Sequence, residues 1–97
     1  MVHLVVLQGL PQTVTNGVET LKTISNGWCV LTRGVDPQGK AITTAMLVQT
    51  QHATETVRDF LGRMPGIQVV VVRLKDQWSS RGLDQVAGWL KNVDMLF

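Results

Sequence analysis

Three cations bracket a tryptophan in RLKDQWSSR, residues 73 to 81: Arg73, Lys75 and Arg81 surround Trp78. Such a loop can pair its charges with phosphates while the indole stacks on a base, which is the chemistry of single-stranded nucleic-acid binding. Trp and Arg also anchor protein interfaces, and an indole in a loop can instead fold under to pack a helix. Arg33 and Lys40 extend the basic set if the fold turns them to the same side.

The other chemistry-bearing residues read more plainly. GVDPQGKA, residues 34 to 41, approaches a phosphate-binding loop, but Ala41 stands where a magnesium-binding hydroxyl is needed. Asp36 would also set a carboxylate inside a loop meant to cradle anions. DPQG suits a type I turn, with Asp first, Pro second and Gly fourth, so a hairpin is expected there. His3, His52 and Cys29 show no metal-ligand spacing. The histidines read as surface or edge residues and Cys29 as a small hydrophobe in an apolar strand. Glu19, Glu55, Asp59, Asp76, Asp84 and Asp94 sit in polar company, and none pairs as an acid and a base would. No enzyme, cofactor or metal is expected.

Ninety-seven residues, 44% apolar and 16% charged, make one ordered domain with a net charge of only +2. That balance permits nucleic acid without demanding it. A single cysteine forms no intrachain disulfide, which suits a reducing compartment. MVHLVVLQGLP does not read as a signal peptide, and no apolar run nears the roughly 20 residues that span a bilayer. A cytoplasmic protein with no membrane partner is expected.

His3 to Leu7 is an apolar run rich in branched residues, closed by Gly9 and Pro11, and reads as a first strand. Val14, Val18, Leu21 and Ile24 then form one helical stripe that Asn26 and Gly27 end. Gly17 costs that helix roughly 1 kcal/mol relative to Ala unless close packing needs it. Trp28 to Val35 is strand-like, and beyond the DPQG turn Ala41 to Thr50 reads as the return strand. The same stretch also fits a long helix from Lys40, since Ile42, Ala45, Met46, Ala53, Val57, Phe60 and Met64 lie near one stripe. Thr54 to Met64 is helical either way and ends at Pro65-Gly66. A strand follows to about Lys75, and Leu83, Val86, Ala87, Leu90 and Val93 mark a last amphipathic helix.

This order gives a ferredoxin-like βαββαβ fold of the α+β class with an additional C-terminal helix. The long-helix variant gives a βαβαβα three-layer sheet. Under both, the four consecutive valines of GIQVVVVRL demand explanation. Val69 and Val71 point to one face and Val70 and Val72 to the other, so a sheet covered on both faces is expected. The cover is either the last helix or a second copy of the chain.

VVLQGLP at 5 to 11 followed by TVT, the later AMLVQT and the helix from Thr54 to Leu61 resemble an RNA-recognition motif over the first 60 residues. The resemblance implies a split βαβ fold and an RNA-binding sheet. The positions of that family's stacking aromatics fall here on Val6, Thr44 and Met46, which suit a helix or a dimer partner better than a base. FLGRMPGIQVVVV is similar to the helix, turn and last strand of ACT-type regulatory domains, which implies pairing between copies and a small effector.

Together these features predict a small non-catalytic binding module, oligomeric through an apolar sheet face, that binds RNA or DNA through Arg33, Lys40, Arg73, Lys75, Trp78 and Arg81. The alternative is an ACT-like regulatory or protein-interaction and assembly domain.

Overall fold

A computed structural model describes residues 1–74 together with Trp89. Strand β1 (Val2–Gly9) leads through Leu10 into helix α1 (Pro11–Ile24). Pro11 stands at the helix start, where its missing N–H is no loss and its fixed φ fits. Val14 and Leu21, on the stripe read from the sequence, are fully buried, and each such burial is worth about 1.5–3 kcal/mol. Gly17 is buried with them. A Cβ there would come within 3.1 Å of Ile67 Cδ1 and 3.3 Å of Leu7 Cδ1, so close packing accounts for the glycine. Two hydroxyls cap the helix end: Ser25 Oγ donates to the Lys22 carbonyl at 3.1 Å and Thr50 Oγ1 to that of Ile24 at 2.9 Å.

Strand β2 (Gly27–Val35) turns into strand β3 (Ile42–Gln49). The DPQG turn forms as its residues require. Gly39 N–H donates to the Asp36 carbonyl at 3.0 Å, and Gly39 takes a left-handed φ of 69°. The Asp36 carboxylate accepts the Lys40 backbone N–H at 2.7 Å. A carboxylate bound inside the turn excludes the phosphate-cradle reading.

Residues 42–49 are a strand, which excludes the long helix and the three-layer sheet. Thr and Val favour extended structure here, and pairing on both sides outweighs the helical stripe. Helix α2 (Thr54–Gly62) and strand β4 (Gln68–Arg73) complete the described elements.

The sheet is antiparallel throughout, in the order β2-β3-β1-β4. Both helices lie on one face: Val14 and Leu21 of α1 and Val57 and Leu61 of α2 share a core with Val5, Leu7, Ile42, Met46 and Val48. The fold is ferredoxin-like α+β. The predicted helix around Leu83 to Val93 lies outside the described residues except for Trp89, which is helical. No helix among the described residues is long and apolar enough to cross a membrane.

Register fixes what each face carries. On the helix face lie His3, Val5 and Leu7, opposite Arg73, Val71 and Val69. On the second face Leu4 and Val6 oppose Val72 and Val70. Trp89 covers part of that face, packed with Leu4, Cys29, Leu31 and Leu74 around buried Val2 and Leu47. That corner has the expected cover, whereas on β4 Val70 is 58% and Val72 46% exposed in the single chain. Their partners Val69 and Val71 pack on the core from the other side.

Gly9 closes β1 against the turn before β4, and a Cβ there would lie 2.7 Å from the Gly66 carbonyl oxygen. Backbone cannot rotate away as a side chain can. Gly9→Ala is expected to cost about 1–3 kcal/mol, read as a lower urea midpoint. Gly34→Ala, with nothing within 4 Å of the added carbon, should stay within about 0.5 kcal/mol of wild type.

Candidate functional site

The described residues form a groove between α1 and the β2 side of the sheet, with a volume of about 230 Å³. Helical spacing brings Thr15, Glu19 and Lys22 down one flank of α1 while Val14 and Val18 face inward. Ile42 and Thr44 of β3 make the floor, and Val30 and Arg33 of β2 the far wall.

That wall exists because β2 carries a bulge. Val30 pairs with Met46, yet Thr32 pairs with Ala45 and Arg33 with Thr44, so one extra residue enters β2 at Leu31. In a regular strand Val30 and Arg33, three apart, would face opposite sides. The inserted residue rephases the strand and turns both to the helix face.

The polar groups are unevenly committed. Lys22 Nζ lies 3.4 Å from Glu19 Oε1 and 4.4 Å from the centre of the Trp28 ring, so its charge is shared between a carboxylate and an indole face. Arg33 makes no hydrogen bond or ion pair among the described residues. Thr44 is 3% exposed, and its hydroxyl likewise makes no hydrogen bond among them. The groove therefore offers one uncommitted guanidinium directly across the ladder from the hydroxyl of a largely buried threonine, above apolar walls.

The basic residues singled out in the sequence separate in space. Arg33 and Lys40 belong to the β2–β3 hairpin, whereas Arg73 ends β4 on the opposite edge. Three strand spacings and four residues of rise put Arg33 and Arg73 roughly 20 Å apart. Lys75, Trp78 and Arg81 lie outside the described residues. Lys22, Trp28, Glu19 and Thr44 were not legible as site residues. The (i, i+3) pair of Glu19 and Lys22 was the one available signal, whereas Lys22 meets Trp28 only because the chain turns back after α1.

Thr44 and Met46 face the helices, so they are not the positions at which a base could stack on the open sheet. Thr43, Ala45 and Leu47 occupy that face of β3 instead, again without an aromatic ring. Among the described residues no group of three or more His, Cys, Asp or Glu could hold a metal ion.

His3 corrects the reading of it as a surface or edge residue, for its ring is fully buried. It shares a face with Val5 and Leu7, and its Nε2 lies 3.1 Å from Thr54 Oγ1 at the start of α2. Its Nδ1 has no partner. Burial foremost, then the N-terminal ammonium and Arg73, hold its pKa below the usual value.

No protein-family model matches this chain, and no curated protein matches it. A solved structure with a similar fold is that of a DUF3240 family protein from Shewanella baltica OS155. Its TM-score is 0.49 and its identity 10%, covering 82% of this chain and 97% of that one.

Because the folded state resists protonating His3, the unfolded chain binds that proton first as pH falls. The stabilising contribution is complete above the ordinary histidine value of 6.5 and is lost as pH drops below it toward the depressed folded value. Urea midpoints at about pH 7.5 and 5.5 should show a decline in wild type that is smaller in His3→Leu.

Proposed function

We propose that the chain is a non-catalytic interaction module of regulatory type whose second sheet face joins it to copies of itself. One observation carries this reading: across the described strands, that face bears no charged side chain. It consists of Val2, Leu4, Val6 and Gln8 on β1, Thr43, Ala45, Leu47 and Gln49 on β3, and Gln68, Val70 and Val72 on β4, with Gly27, Cys29, Leu31, Thr32 and Gly34 on β2. The basic strand residues, His3, Arg33 and Arg73, all lie on the other side.

A two-fold contact sets a surface against itself, so any charge near the axis meets its own copy. An uncharged face avoids that repulsion. Exposed Val70 and Val72 supply apolar area that a second copy can bury beside the corner already covered by Trp89.

Sedimentation across a concentration series tests it. The expected result is a mass of at least twice 10.7 kDa that falls to one chain in Val70→Asp. A wild-type chain that stays at the single-chain mass up to about millimolar concentration sinks the reading.

Nucleic-acid binding is the second reading, favoured by Trp28, which is 42% exposed on the same face of β2 as Arg33. An indole and a guanidinium on one strand face, four ladder positions or roughly 13 Å apart, suit a base and a phosphate further along the same strand. Titration with single-stranded RNA at low salt should give salt-sensitive binding that weakens in Arg33→Gln and in Lys40→Gln. Binding that is absent, or indifferent to both changes, removes this reading.

A further inference from the structure

We propose that the groove between α1 and β2 binds a small monocarboxylate with a compact, branched apolar body and no ammonium group. Three features of the lining select this class. Val14, Val18, Val30 and Ile42 form walls that favour hydrocarbon. Arg33 presents the one cation in the lining that has no partner among the described residues, and a guanidinium fork matches the two oxygens of a carboxylate. Thr44, buried on the floor directly across the ladder from Arg33, has a hydroxyl free of partners among the described residues, which can donate to the same carboxylate.

The same lining argues against neighbouring classes. Glu19 is already paired with Lys22, so it offers no separate anion to a ligand ammonium, and a zwitterionic amino acid would bring its ammonium toward Arg33 without compensation. A dianionic phosphate would have no apolar part to fill the walls. A neutral alcohol of the same shape would leave the guanidinium without an ionic partner. This inference stands on the helix face of the sheet and is independent of the assembly reading, which concerns the opposite face.

Amide and methyl NMR titration of the full chain with 4-methylpentanoate is the test. Matched titrations use 4-methylpentanol, leucine and inorganic phosphate, each to on the order of 10 mM. The expected result is saturable shifts at Val14, Val18, Val30 and Thr44 with 4-methylpentanoate, at least about tenfold weaker with the alcohol, leucine and phosphate. Arg33→Gln should weaken 4-methylpentanoate by about tenfold and the near-isosteric Thr44→Val by a few-fold, with Arg73→Gln unchanged as a control for net charge. Arg33 is exposed, so its variant should keep the wild-type spectrum outside the groove. The proposal is overturned by absence of saturable shifts with 4-methylpentanoate. Equal binding of the alcohol, of leucine or of phosphate overturns it too, as does an Arg73→Gln loss that matches that of Arg33→Gln.

Discussion

Every face of this protein is set by the double pairing of β1. All eight of its residues are laddered to β3 on one side and six of them, His3 to Gln8, to β4 on the other, so the alternation of its side chains is imposed on both neighbours. Val5 and Leu7 are fully buried beneath the helices, and slipping either ladder by one residue would send them to the opposite side. Such a slip would also bring His3 and Arg73 onto the second face. The separation of an uncharged face from a charged, helix-covered one is thus a consequence of core packing.

The chemistry of the helix face comes from a departure from that regularity. The bulge at Leu31 spoils the alternation of β2 and puts Arg33 on the helix face across from Thr44, opposite the Thr15–Glu19–Lys22 flank of α1. Bulges occur at sheet edges, where a lost ladder bond costs least, and β2 is an edge strand. Groove and uncharged face are therefore built differently: one needs a break in the strand pattern, the other needs the pattern kept.

Buried polar groups tie the ends of the elements together. Thr50 caps the end of α1 through its hydroxyl and also accepts the His52 N–H at 3.2 Å, fixing the chain between β3 and α2. His3 joins the start of β1 to the start of α2 through Thr54 but leaves Nδ1 without a partner. The first arrangement satisfies its polar groups, whereas the second makes the packing of that end depend on a neutral imidazole.

The sequence by itself determined the local elements, because periodicity and turn chemistry act over a few residues. The branched run of β1, the stripe of α1 and the DPQG turn were legible in this way, and so was the two-sidedness of the four valines. His3 was misread although its position two residues before Val5 placed it on the core face. Whether residues 42–49 became strand or helix was decided by tertiary structure, since their stripe served either and only two flanking ladders made extended chain the better state. The same holds for the distance between Arg33 and Arg73, for Lys22 meeting Trp28, and for the bulge in WCVLTRGV, where no glycine or proline marks the extra residue. These depend on which strands become neighbours and on the volume the helices fill above them, and contacts of that kind leave no period in a chain of 97 residues.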